Sequence, residues 1–299
     1  MREKIEYWLV VAVARCLGRL PRRLARWWAW ILAFKVYWLC GRLRRVGMRN
    51  LTLALPELSS KTREKILRRV YVHLGWHLVE FCRMSRYTPE STRGWLRTEG
   101  LEHFLAAQAR GKGVLVVTGH LGAWELSSFY HSLMGHPMGM VIRRLDNRLL
   151  DAYVNAIRCL HGNYVLHKDD FGRGLLTAMR TGGTVGILMD TNMTPPQGAF
   201  VKFFGIDACT GTGLAHVARK TGAAVLPGFM VWEAAERKYV LHFGPEIKIP
   251  HTECVADDIL EGTARCTQVI EAWIRRYPDQ WLWIHRRWKT RPAGEPGLY

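Results

Sequence analysis

From about residue 100 onward the chain alternates short, β-branched apolar runs with stretches of helical period, and this alternation limits the folds open to it more than any other feature. The apolar runs lie at 114–118, 138–142, 184–189, 223–231 and 239–243, with helical patterns near 122–134, 147–160, 170–181 and 212–221. Parallel strands need long crossovers, so such alternation predicts an α/β layer with a largely parallel sheet flanked by helices. Only Glu-Ala-Ala-Glu-Arg joins the last two runs when they are read as 223–232 and 238–244, which predicts a hairpin there and makes the sheet mixed. One more helix is expected at about 255–276, ending at Tyr277-Pro278, and another at 60–86 with Ser59 or Ser60 as its N-cap. A chain of 299 residues that is 48% apolar can bury a sizeable core.

The first 49 residues differ from the rest. They hold twelve Lys and Arg against Glu3 and Glu6, a surplus of ten within a chain whose net charge is +18. They also hold Trp8, Trp27, Trp28, Trp30 and Trp38 out of 13 Trp. Basicity alone attracts any anion, nucleic acid included. Tryptophan is a residue of membrane interfaces. The charge-free run at 7–14 and the run at 27–41, interrupted by Lys35, are each too short for a clean spanning helix. Dense arginines after the first run argue against a secretory signal. With Pro21 between them, the two runs read as helices lying in or dipping into a bilayer interface. A helical hairpin packed on the protein's own core fits the same pattern. The expected organisation is a membrane-anchoring segment over 1–49 and one α/β domain over 50–299. Seven scattered cysteines without a C-x-x-C pair argue against a zinc ribbon or a disulfide scaffold.

The chemistry concentrates where the run at 114–118 ends. Gly119-His120-Leu-Gly122-Ala-Trp-Glu125 follows it directly, and ligands of open α/β sheets bind beyond the carboxyl ends of strands. Residues five apart do not share a helix face. His120 can therefore meet Glu125 only from the turn before the helix, which the flanking glycines permit. Glu125 would then fix the His120 tautomer and leave the other nitrogen as a general base, kept neutral by the helix N-terminus. The bland alternative is that His120 caps the helix and Glu125 favours its dipole. His73, His77 and Glu80 share a helix face and could ligate a metal, but no further ligand group has suitable spacing; no metal and no cofactor is expected.

Gly-His-Leu-Gly-Ala-Trp-Glu-Leu-Ser at 119–127 resembles the H-x4-[DE] block of the bacterial lipid A biosynthesis acyltransferases, the lauroyl and myristoyl transferases. Val141-Ile-Arg143-Arg-Leu-Asp-Asn147 is similar to that family's R-P-x-x-N block, with Arg144 and Arg148 where the family has prolines. Gly198-Ala-Phe-Val-Lys-Phe-Phe-Gly205, after Asp190, resembles its D-Q…G-x-F-V-x-F-F-G block, with Thr191 in place of Gln. Tyr277-Pro-Asp-Gln-Trp-Leu-Trp-Ile-His285-Arg-Arg-Trp288-Lys resembles its C-terminal P-E-Q-W-x-W-x-H-R-R-W-K signature.

The resemblance, over about residues 5–292, implies a glycerolipid-acyltransferase-like fold anchored on the cytoplasmic face of the inner membrane. It implies acyl transfer from an acyl-acyl carrier protein to a hydroxyl of a lipid A precursor. His120 would deprotonate that hydroxyl and Glu125 would orient His120. Backbone N–H groups around Gly122 and the guanidinium of Arg158 would serve the oxyanion. Asp190 would hold an arginine or a substrate hydroxyl, unless it only forms an Asx turn with Asn192. Arg143, Arg144, Lys202 and Arg286–Arg287 are candidates for contacts to phosphate or to the acidic carrier protein. Phe200, Phe203 and Phe204 could line an acyl groove, with core packing expected for at least two of them. The partners implied are acyl carrier protein and anionic lipid, with the enzyme a monomer. The same chemistry on a phosphatidylinositol mannoside or an aminolipid is the nearest alternative. Nucleic-acid binding is the alternative from another class, but no helix-turn-helix or RNP-like signature supports it, and no nucleic acid is expected as a partner.

Overall fold

In the computed structural model, which describes residues 1–167 and 171–299, the N-terminal part is helical: α1 (Arg2–Arg19), α2 (Arg22–Leu39), α3 (Gly41–Ala54), α4 (Ser60–Arg83) and the short α5 (Pro89–Thr92). The remainder alternates: β1 (Leu96–Glu99), α6 (Leu101–Gln108), β2 (Val114–Thr118), α7 (Trp124–Leu133), β3 (Gly139–Ile142), α8 (Arg148–Arg158), β4 (Tyr164–His167), α9 (Phe171–Arg180) and β5 (Thr184–Leu188). It ends with β6 (Gly198–Phe203), β7 (Ile206–Gly211), α10 (Gly213–Thr221), β8 (Ala224–Glu233), β9 (Lys238–Phe243) and α11 (Val255–Arg276). Residue 170, where the sequence pattern starts a helix, lies outside the described residues.

The main sheet has the order β1-β9-β8-β2-β5-β3-β4. Among the described strands only its β8–β9 pair is antiparallel, and that pair is the expected hairpin. The other neighbours run parallel. Both faces of the central strands are buried. Leu115 and Val117 of β2 face the core that contains Phe229, Ile270 and Trp281, while Val114 and Val116 face the one that contains Phe104, Leu126 and Phe129. Strands buried on both sides read as continuous apolar runs, which is why β2, β5 and β8 are visible in the sequence. The strands β1, β4, β6 and β7 are not, since they are short or carry polar residues on one side. β6 and β7 form a separate antiparallel hairpin. It buries Phe203 and Phe204 against Trp281, Trp283 and Trp288, so these two rings are core and Phe200 is half-buried.

The basic, Trp-rich segment folds as the two expected helices separated by Pro21. Among the described residues no helix is long and apolar enough to cross a membrane. The sequence of α2 shows how it is held. Ala25, Ala29, Ala33 and Tyr37 recur every four residues, share one face, and are buried. Small residues let this face approach α4 so closely that a Cβ on Gly75 would lie 2.9 Å from the Ala29 carbonyl oxygen. The opposite side of the hairpin leaves Trp8, Trp27, Trp28, Trp30, Phe34 and Trp38 half or more exposed. One face of the segment thus packs on the protein, as the packed-hairpin reading expects, and the other faces outward. Residue 49, the expected boundary, falls inside α3.

An ionic cluster ties α2 to α4. The fully buried Glu80 carboxylate accepts from Arg22 Nε at 2.9 Å, from Arg26 Nε at 3.1 Å and from the Tyr87 hydroxyl at 2.5 Å. Arg22 also lies 3.5 Å over the Trp95 ring, and Arg26 4.5 Å over Trp76 and Trp232. Burial pulls the Arg22 pKa down while Glu80 pushes it up. Removing the shared carboxylate strands two desolvated cations. Glu80→Ala is expected to lower unfolding free energy by about 3–5 kcal/mol, read by urea denaturation.

Candidate active site

Strand register creates the site. β2 and β5 are parallel neighbours with Thr118 opposite Leu188, and the Met189 N–H donates to the Thr118 carbonyl at 3.0 Å. Gly119-His120 and Asp190 therefore leave the carboxyl edge of the sheet side by side, where ligands of such sheets bind. His120 Nδ1 lies 2.8 Å from Asp190 Oδ1, and the His120 backbone N–H donates to Asp190 Oδ2 at 2.6 Å. The Trp281 indole Nε1–H donates to the same Oδ2 at 2.7 Å. Asp190 can only accept, so Nδ1 carries the proton and Nε2 is the nitrogen left for chemistry.

Two glycines make this geometry possible. A Cβ on Gly119 would lie 3.0 Å from Asp190 Oδ2, so a side chain there would crowd the carboxylate. Gly122 has φ +65°, and its Cβ would lie 2.0 Å from the Met230 carbonyl oxygen. The turn thus clears His120 of α7, as the sequence spacing requires.

The partner of His120 is not the one expected. Glu125 sits on the first turn of α7, but Arg158, the last residue of α8, claims it. Arg158 Nε donates to Glu125 Oε2 at 2.8 Å and Nη2 donates to Oε1, a two-pronged pair. The carboxylate that meets His120 is Asp190, supplied by the turn after the neighbouring strand. Strand order is absent from a linear motif, so H-x4-E alone could not reveal it. A signal existed all the same: Asp190 follows an apolar strand at its carboxyl end, as His120 does.

The electrostatics follow. Burial lowers the His120 pKa, but the charge and hydrogen bond of Asp190, with Glu125 adding, outweigh it and leave the pKa above 6.5. The shift is therefore upward, set by Asp190, and not the downward one that a helix N-terminus alone would give. Burial raises the Asp190 pKa, but His120 and the Trp281 indole more than compensate and bring it to about 2.

His120, Trp124, Glu125 and Arg158 line one wall of a cavity of about 830 Å³ whose other walls include Ile187, Leu188, Met189, Leu214 and His216. A smaller recess continues past Glu125 and Arg158 between α7 and the sheet, towards Met138, Met140 and Gly186. Polar groups that can hold a proton thus stand at the side of a largely apolar slot.

The match to known proteins fits this geometry. A family model described as bacterial lipid A biosynthesis acyltransferase covers residues 1–290. The chain belongs to that family. It is 32% identical over 260 residues to the lipid A biosynthesis palmitoleoyltransferase of Escherichia coli (strain K12), covering 86% of this chain and 82% of that protein. It is 29% identical to the lauroyltransferase of the same strain, over 86% of this chain and 83% of that protein. To the myristoyltransferase it is 23% identical, over 85% and 79%. It is an acyltransferase of lipid A biosynthesis, with an acyl donor and a lipid A precursor as acceptor.

Against the family's motifs, the structure redistributes several expected roles. The Gly122 and Ala123 N–H groups are spent on the carbonyls of Gln280 and Met230, at 2.9 and 2.8 Å, so they do not face a substrate oxyanion. Arg143 stands at the cavity rim with its side chain 83% exposed, 3.6 Å from Asp146. Arg144 joins it and His167 in lining a second, polar pocket of about 680 Å³. Lys202 pairs with Asp207 on the surface. Arg287 is no surface contact: it is fully buried and donates to the Thr191 and Cys209 carbonyls and to Thr210 Oγ1. Burial drops its pKa to about 10. His73, His77 and Glu80 disperse: His73 lies 3.8 Å from Asp279, His77 packs on Trp124, and Glu80 holds Arg22 and Arg26.

The His120–Asp190 pair gives a pH test independent of turnover. The raised His120 pKa contributes stability that is present below 6.5 and fades as pH rises through the folded pKa. The lowered Asp190 pKa contributes stability that is lost as pH falls from 3.8 towards about 2, so the pair stabilises the fold most between these limits. NMR titration is expected to place His120 above 6.5 in the wild type, and below 6.5 in Asp190→Asn, where burial acts without the carboxylate.

Proposed function

We propose that the protein moves a fatty acyl chain from an acyl-acyl carrier protein thioester to a hydroxyl of a lipid A precursor, with His120 as general base and Asp190 as its orienting carboxylate. The observation that carries this reading is the His120–Asp190 pair opening on the 830 Å³ cavity. His120 Nε2 takes the proton of the acceptor hydroxyl, and the oxygen attacks the thioester carbonyl. The tetrahedral intermediate collapses, and the imidazolium returns its proton to the leaving thiolate. Asp190 holds the tautomer and stabilises the imidazolium. Arg158 has five N–H bonds, of which two go to Glu125 and one reaches Asn155, and the rest are available to the oxyanion.

Two further parts of the molecule support a lipid acceptor. The outward face of α1 and α2 carries exposed Trp8, Trp27, Trp28, Trp30 and Trp38 among arginines, a composition suited to an anionic bilayer interface on the cytoplasmic side of the inner membrane. The N-cap of α8, Asn147, donates to the Glu3 carbonyl at 2.9 Å and to Glu6 Oε2 at 3.2 Å. Helix α1 therefore sits beside the rim residues Arg143 and Leu145, so a lipid could reach the cavity from the surface on which α1 lies. The pocket of Arg143, Arg144 and His167 offers cationic groups to the acceptor's phosphate.

The direct test supplies purified enzyme with acyl-acyl carrier protein and a lipid A precursor. Wild type is expected to transfer the chain, His120→Ala to be inactive, and Asp190→Asn to lose about 10³–10⁴ in kcat. Full activity in His120→Ala would overturn the base assignment. For the membrane reading, Trp27→Ser with Trp28→Ser is expected to weaken co-sedimentation with phosphatidylglycerol-containing vesicles without changing thermal stability.

A further inference from the structure

The C-terminal signature contributes no group to the cavity wall, yet it touches both members of the proposed catalytic pair. Its residues Gln280, Trp281 and Leu282 run beside Leu121 as an isolated antiparallel bridge. Gln280 accepts from the Gly122 N–H at 2.9 Å, and the Leu282 N–H donates to the His120 carbonyl at 3.0 Å. On the far side, His285 Nε2 accepts from the Asn192 N–H at 3.1 Å, the Thr290 N–H donates to Asn192 Oδ1 at 2.8 Å, and Arg287 holds the Thr191 carbonyl. One segment therefore grips the backbone of the His120 turn and of the Asp190 turn at once.

The Trp281 side chain lies between the two. It is fully buried and packed edge-on against Phe203 and Trp283. Its indole donates to Asp190 Oδ2, the oxygen that does not face His120 Nδ1. Asp190 is only 3% exposed, so bulk water is no substitute for that donor. The signature's other buried tryptophans use their indoles differently. Trp283 donates to the Pro278 carbonyl at 2.6 Å, and Trp288 Nε1 has no hydrogen-bond partner among the described residues. The donor on Asp190 is thus a particular feature of position 281 and not a by-product of burying a large ring.

We propose that Trp281 is a positioning residue for the transfer reaction: its indole N–H fixes the rotation of the Asp190 carboxylate and shares its charge, and so tunes the basicity of His120. The inference rests on the reading of His120 and Asp190 as the catalytic pair. Without the indole donor, more of the carboxylate charge falls on the imidazole, which stays protonated to higher pH. The carboxylate also gains rotational freedom, and His120 loses its fixed aim.

The test replaces the Trp281 indole with benzothiophene, introduced as benzothienylalanine, which keeps the ring shape and lacks the N–H. Trp281→Phe is the simpler companion, and Trp288→Phe, in the same aromatic cluster against Phe203, is the control. In acyl transfer assays with acyl-acyl carrier protein and lipid A precursor, the benzothiophene enzyme is expected to lose about tenfold in kcat. KM is expected to stay within about twofold, and the acid limb of kcat/KM to move up by about half a pH unit. Trp288→Phe is expected to leave that limb in place. In an Asp190→Asn background the same replacement is expected to change kcat by less than about twofold, because the effect passes through the carboxylate. Unchanged kcat and an unmoved limb, with His120→Ala inactive, would overturn the role of Trp281 alone. So would a loss that simply multiplies with that of Asp190→Asn. An active His120→Ala enzyme would overturn the underlying reading as well.

Discussion

The parallel pairing of β2 with β5 is the constraint on which the site depends. It brings two strand ends together that are about seventy residues apart in the chain, and each ends in a turn that carries one half of the His120–Asp190 pair. The hydrogen bond is short and largely removed from water, with about a fifth of the His120 side chain left exposed. In that setting each partner shifts the other's pKa more than burial opposes. Gly119 and Gly122 are the local conditions for it, one for the approach of the carboxylate and the other for the turn.

Around this pair the chain builds three supports with different physics. Arg158 and Glu125 neutralise each other on the cavity wall and join α7 to α8. The C-terminal segment holds both turns by backbone bonds and reaches Asp190 through Trp281. Helix α2 attaches through small-residue packing and the Glu80 cluster, and α1 through Gly18, which lies against the Cys82 carbonyl and accepts from Arg86. The exposed aromatic face is therefore joined to the body that carries the site, and Asn147 connects α1 to the cavity rim.

The motif block at 119–127 points to Glu125 as the partner of His120, and the structure pairs His120 with Asp190 instead. H-x4-E correctly implies a turn before a helix and an acid on its first turn. Which acid the imidazole meets is a matter of distance in space. Glu125 has an arginine forked onto it, and Asp190 is held against Gly119 by three donors. The arginines of the C-terminal signature teach a related lesson. Arg287 has the sequence appearance of a surface cation beside a substrate, yet it is a buried strut, because carbonyls of the neighbouring loop take its N–H groups.

The sequence by itself determined the class of fold, because strands buried on both faces must be apolar throughout and parallel strands must be separated by helices. It also determined the family, the placing of His120 at a strand end, and the two N-terminal helices with their arginines and tryptophans. Only the tertiary structure decided the strand order and therefore the pairing of His120 with Asp190. It alone decided which face of α2 is packed, through the close fit of alanines on Gly75. The reason is the same in each case. Periodicity and composition report what a residue needs locally, while a hydrogen bond between distant segments depends on register and packing that no single stretch of chain contains.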